Sequence, residues 1–217
     1  FPFFNVEPAM STDTLKSMLF RDELGTYTAY QSSGSNRATN LRLACEALDG
    51  TVIEPGKTFS FNQTVGQRTT ARGYKSAPAD ASATGETTLG GGISQVSSTL
   101  YCAALLADLD ITSRRANAFA PNFIDFGLDA AVSWDLYDFS FRNNLGYPIM
   151  IGAEVSGGYV RIKILGTEER SHYVMLDYTI TRTSVLNNVQ NIGIGRYFSM
   201  QCIWNFRAGT RPKKIIK

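Results

Sequence analysis

The sequence holds a single histidine, His172, and only three cysteines, Cys45, Cys102 and Cys202, among its 217 residues. One histidine leaves most imidazole-based catalysis with one candidate or none. No two cysteines form a C-x-x-C pair, which argues against a zinc site, and so sparse and odd a set is no disulfide scaffold. An excess of charge of either sign is also missing. The formal net charge of +2 leaves no electrostatic footprint for nucleic acid. The one basic cluster, RPKKIIK at 211–217, reads as a solvated tail or linker. No apolar run reaches the length of a transmembrane helix, and no secretory signal is visible. The opening FPFFNVEPAM reads as a cut from a longer protein, so a missing targeting segment says little about the full-length product. No metal, flavin or nucleotide motif stands out, since GIGR at 193–196 is too short for a phosphate loop. No cofactor and no metal are expected.

What is present is a core. Hydrophobic residues make up 43% of the chain and aromatic residues 12%, enough for one large domain or one domain with a small appendage. Residues 12–24, TDTLKSMLFRDEL, place apolar groups at 15, 18, 19 and 24, which predicts a short helix ended by Gly25. TYTAYQ then reads as a strand. A second helix is expected from about Arg37 to Leu48, with Leu41, Ala44, Cys45 and Leu48 in one stripe. TVIEPGKTFSF follows as strand, Pro-Gly turn, strand. Residues 62–92 are polar and glycine-containing, and a loop of that length within a domain is functional or mobile. A third helix is expected from Ile93 to about Asp108. It is apolar on nearly every face and so buried on most sides. ITSRR reads as a strand. The clearest β signal runs from Val132 to Gly166, with alternating Trp134, Leu136, Phe139 and Phe141, then a hairpin turn at Gly157-Gly158. HYVMLDYTITRTS and RYFSMQCIWNF add strand-like runs. The order predicts an α+β fold: a central buried helix packed against a mostly antiparallel sheet. Cys45 and Cys102 fall among apolar residues of helices and read as buried structural thiols.

The stretch GGGISQVSSTLYCAA, residues 90–104, carries the chemistry. A helix N-terminus presents unpaired N–H groups and a partial positive charge. Gly90, Gly91 and Gly92 let a carbonyl or carboxylate approach the backbone closely. Ser94 sits where a cysteine would have a depressed pKa. A serine needs an adjacent base to attack, and the G-x-S-x-G elbow is missing here. Read by itself, Ser94 is a helix-start residue.

The wider stretch resembles the VanW family, named after an accessory protein of B-type vancomycin resistance clusters. NLRLACEALDGTVIEPGKTFSFNQTVGQRTTARGYKSAP is similar to the family's N-terminal half, and LDITSRRANAFAPNFIDFGLDAAVSWDLYDFSFRNNLGYPIMI to its continuation. The resemblance covers about residues 26–165. With the residue patterns on either side, three segments are expected: a helical lead-in at 1–25, a VanW-like domain at 26–165, and at 166–217 a β-rich extension of the same domain or a small appendage. VanW-like domains have been linked to peptidoglycan cross-linking as L,D-transpeptidases. In that reading a cysteine attacks a stem-peptide carbonyl, and the acyl group passes from the thioester to an amine of a neighbouring stem. The family motif GGGxCQxSSTLY puts that cysteine on Ser94. An RHxHS-like segment puts its histidines on Arg115 and Asn117. The nucleophile and base positions are therefore both changed.

By the same resemblance Asp129 orients a base or caps a turn, and Gln95 donates to an oxyanion or binds the helix-start backbone. Arg114 and Arg115 suit stem-peptide carboxylates, although neighbours in a strand face opposite ways. The aromatics Trp134, Tyr137, Phe139 and Phe141 read as core and sheet-face residues. His172 lies outside the matched region and reads as a strand-edge residue. The expected function is a cell-wall domain that binds peptidoglycan or its stem peptides in an L,D-transpeptidase-like cleft with degenerate catalytic residues. The alternatives are an active acyltransferase using position 94 and a non-enzymatic interaction module of the cell envelope. The expected location is the extracellular face of a bacterial envelope, with any membrane attachment through a segment absent from this chain.

Overall fold

The computed structural model describes residues 19–32, 34–78, 87–117, 121–125, 127–134, 136–183 and 199–210. The chain divides into two compact units, Phe1–Arg170 and Ser171–Lys217. The fold is α+β with antiparallel sheets, as the order of elements predicts.

In the first unit, strand β1 (Asp22–Tyr30) leads to helix α1 (Ser35–Leu48), then to the short strands β2 (Val52–Ile53) and β3 (Thr58–Ser60). Helix α2 (Phe61–Val65), a 3-10 turn at Thr70–Arg72, and strands β4 (Ser76–Pro78) and β5 (Thr87–Leu89) precede the central helix α3 (Ile93–Leu106). Strands β6 (Asp110–Ser113), β7 (Ser140–Arg142), β8 (Ile149–Ser156) and β9 (Tyr159–Gly166) complete the unit. One sheet has the order β1-β9-β8-β2, a second β3-β7-β6, and β4 pairs with β5. The long β8–β9 hairpin turns at Gly157-Gly158, as its sequence predicts, with Ser156 opposite Tyr159. Helix α3 lies on β1 and β9, and α1 on β8. Between them Leu41, Leu48, Leu100, Phe61, Phe139, Phe141, Ile162 and Ile164 are fully buried.

Cys45 and Cys102 are buried, free thiols, as the apolar neighbours predict. Burial pushes the Cys45 thiol up to about 12, with Asp49 and Glu46 adding to the shift. It raises Cys102 as well, and the Cys102 thiol donates to Leu128 O at 3.4 Å.

Three expectations differ from the structure. The helix predicted to end at Gly25 falls partly outside the described residues, but positions 22–24 belong to β1. Gly25 lies inside that strand, just past a bulge, because the backbone of α3 comes down on it. A Cβ there would stand 2.4 Å from Ala103 O and 2.6 Å from Ala107 N. Gly25→Ala therefore forces strand and helix apart and costs about 1–3 kcal/mol of stability, read from the midpoint of urea unfolding. A midpoint at the parent value would show that the two backbones separate freely.

Within the polar stretch at 62–92, the described residues hold most of α2, the 3-10 turn and the β4–β5 ladder rather than a plain loop. Finally, the strand expected through Trp134 and Leu136 begins only at Ser140. Trp134 and Leu136 are exposed, whereas Phe139 and Phe141 are buried. The apolar alternation passes from even to odd positions between them. A pleated strand cannot absorb that phase change, so the chain turns, closed by Ser133 N–H to Tyr137 O at 2.9 Å and Leu136 N–H to Ser133 O at 3.2 Å.

The second unit pairs β10 (His172–Thr183) with β11 (Ser199–Thr210) in an antiparallel ladder, His172 opposite Thr210. The strand-like runs read from the sequence lie here. The tail at 211–217 and the GIGR segment lie outside the described residues.

Candidate functional site

Helix α3 starts at the glycine run. Gly92 is its N-cap, at φ 104°, a backbone state that suits glycine. Gly91 lies in extended contact with β4, where a Cβ would fall 2.2 Å from Ala77 O. Local turns use up part of the helix start: Ile93 N–H donates to Gly90 O at 3.3 Å and Gln95 N–H to Gly92 O at 2.9 Å. The N–H groups of Gly92 and Ser94 have no partner among the described residues. They remain available to an acceptor at the end of the helix.

A cleft of about 360 Å³ opens there. Gly90, Gly91, Gly92 and Ser94 form one wall, Gln67 and Arg68 another, and Val132, Ser133 and Trp134 a third. Ser94 is half-buried and has no hydrogen-bond partner for its hydroxyl among the described residues. Among the described residues no histidine and no carboxylate lines the wall. The geometry therefore brings the three glycines and Ser94 together around one space.

The other predicted residues sit behind that wall. Gln95 is fully buried and points inward. Its Oε1 accepts from Arg37 Nη2 at 3.0 Å, and its Nε2 donates to Ala29 O at 3.2 Å and Gly158 O at 3.1 Å. It ties α3 to β1 and to the β8–β9 turn. Asp129 is 4% exposed. It accepts from Arg114 Nη2 at 2.9 Å and from Asn117 Nδ2 at 2.8 Å, and it also takes the Asn117 N–H. Arg114 adds bonds to Asp129 O and Gly127 O and lies over the Tyr101 ring. Arg115 stacks on Tyr137, 4.2 Å from the ring centroid. So Asp129, Asn117 and Arg114 meet one another, but neither they nor Arg115 nor Gln95 line the cleft.

The segment carrying Asp129 is stitched to α3 by its serines: Ser97 Oγ donates to Ala130 O at 2.6 Å, and Ala130 N–H donates to Ser98 Oγ at 2.9 Å. Those serines are the SS of the motif, and they hold the strip that ends in Val132 and Ser133 at the cleft.

The family described as VanW like protein matches residues 36–165. The chain belongs to the VanW family. Over 168 residues it is 39% identical to the uncharacterized protein YoaR of Bacillus subtilis (strain 168), covering 77% of this chain and 55% of that protein. Over 143 residues it is 32% identical to the vancomycin B-type resistance protein VanW of Enterococcus faecalis (strain ATCC 700802 / V583), covering 60% and 51% respectively. The chain thus spans about half the length of these curated relatives. No solved structure matches it.

Within this VanW-family domain, Arg68 and Trp134 are among the wall residues that the sequence does not single out. Arg68 lies in the polar stretch that reads as a loop, and Trp134 reads as a core or sheet-face residue. Arg68 donates through Nη1 to Asn62 Oδ1 at 2.7 Å and to Gly66 O at 3.0 Å. Asn62 in turn donates to Ser133 O and Tyr137 O, at 3.2 and 2.8 Å. One asparagine therefore sets both the arginine and the turn that bears Trp134. The signal for Arg68 lay in GQRTTARGY, inside the stretch that resembles the family.

Proposed function

We propose that this domain binds a peptidoglycan stem peptide in the Ser94 cleft and has lost the acyl-transfer chemistry. The observation that carries the reading is the cleft wall itself. Among the described residues the wall carries the Ser94 hydroxyl and the unpartnered N–H groups of Gly92 and Ser94, and no histidine or carboxylate lines it. A serine without a base is a poor nucleophile, whereas paired N–H groups at a helix start still hold a carbonyl oxygen. The Asp129–Asn117 contact supports the same reading. At the position where the family places a histidine, an asparagine now takes up the carboxylate that would orient it. The peptide class comes from the family resemblance, as does the expected site of action, the outer face of a bacterial cell envelope.

Intact-protein mass spectrometry after incubation with a stem tetrapeptide tests this, on the wild type and on Ser94→Cys. Reversible binding by both without a mass increment is the expected result. An acyl adduct on the wild type overturns it and makes Ser94 a working nucleophile. Turnover restored by Ser94→Cys alone overturns the loss of the base. Sedimentation with purified cell-wall sacculi separates the wall-binding reading from an interaction module, which stays in the supernatant.

A further inference from the structure

Among the described residues the cleft wall holds one formal charge, Arg68. Arg68 is half-buried, and burial pulls its guanidinium below its ordinary pKa while leaving it cationic. A partly desolvated charge is costly unless something compensates it. Its Nη1 is taken by two neutral acceptors, Asn62 Oδ1 and Gly66 O. Among the described residues no carboxylate pairs with it. Asp138 favours the charge at longer range, but its own oxygens receive the Ser60 hydroxyl and the Asn62 N–H. The stem of Arg68 lies against the glycine run, its Cγ 2.9 Å from where a Gly90 Cβ would stand. The guanidinium is thus tethered by one nitrogen, with no hydrogen-bond partner for Nε or Nη2 among the described residues, in the cleft that Gly92 and Ser94 also line.

We infer that Arg68 reads a free carboxylate on the peptide that enters the Ser94 cleft. The inference rests on the reading of the cleft as a peptide site and names the ligand group that it selects. A planar guanidinium offers two parallel donors to a carboxylate. A single cation matches a monoanion, whereas a phosphate dianion would leave charge uncompensated. The tether through Asn62 fixes the fork before the ligand arrives, which reduces the ordering cost of binding.

The test uses the stem tetrapeptide L-Ala-D-isoglutamine-L-Lys-D-Ala and its C-terminal amide, titrated calorimetrically against the whole chain. The two peptides differ only in the terminal carboxylate. Wild type is expected to bind the acid at least about tenfold more tightly than the amide, since a hydrogen bond to a charged group contributes about 1.5–3 kcal/mol. In Arg68→Gln the preference is expected to vanish, with amide binding unchanged. Arg68→Lys retains part of it, because the charge stays and the fork is lost. Equal binding of acid and amide by the wild type overturns the role of Arg68 and leaves the peptide-site reading standing. No binding of either peptide overturns both. The wild-type comparison needs no variant, so it decides the matter even if Arg68→Gln fails to fold.

Discussion

Replacing Asp129 with alanine lowers the stability of the domain by about 3–5 kcal/mol, the cost of breaking a buried ion pair from one side. The carboxylate is buried, and it receives Arg114 Nη2, Asn117 Nδ2 and the Asn117 N–H. Alanine leaves an arginine side chain only 25% exposed without its countercharge and strands two further donors. Asp129→Asn keeps the volume and one acceptor, so the loss is smaller, about 1–3 kcal/mol. Guanidinium unfolding at neutral pH, with the slope checked for constancy, measures both. A residue kept only for catalysis would change stability by no more than about 0.5 kcal/mol. A shift that small in Asp129→Ala would return Asp129 to a purely chemical role.

Gln95→Ala is the second large effect. Its amide holds three partners in the interior: Arg37, Ala29 O and Gly158 O. Alanine removes a bond to a charged group that is itself 5% exposed, withdraws donors from two carbonyls, and opens a void. About 3 kcal/mol of stability is the expected loss. Because the side chain points away from the cleft, the folded fraction is expected to bind stem peptide with its original affinity. A tenfold loss of affinity at unchanged stability would make Gln95 part of the ligand site after all.

Both residues lie in motif positions that the sequence alone offers equally to chemistry and to structure. The helix start beside Ser94 is legible in the sequence because its signal is local. Glycines at consecutive positions, a serine two residues on and an apolar helix behind them place Ser94 at an exposed helix start. The structure puts it half-buried on a cleft wall. The local pattern leaves open which of Ser94 and Gln95 faces outward. They are neighbours in one helical turn, and which of them faces the cleft depends on the sheet on which α3 lies. Arg68 is a sharper case: it sits in a stretch with few apolar anchors, so periodicity offers nothing there. Its position comes from Asn62 and Gly66 on one side and Gly90 on the other.

The amino-acid sequence by itself determined the class of fold, the buried central helix, the β8–β9 hairpin and the family. Each follows from short-range periodicity, turn residues or a long specific motif. Tertiary structure decided that positions 22–24 are strand rather than helix, that Trp134 and Leu136 are exposed, and that the predicted polar residues separate into a cleft wall and an inner network. Those outcomes depend on contacts between residues far apart in the chain, such as Gly25 against Ala103 or Arg68 against Gly90. Local propensity is a weak prior wherever such packing contacts compete with it.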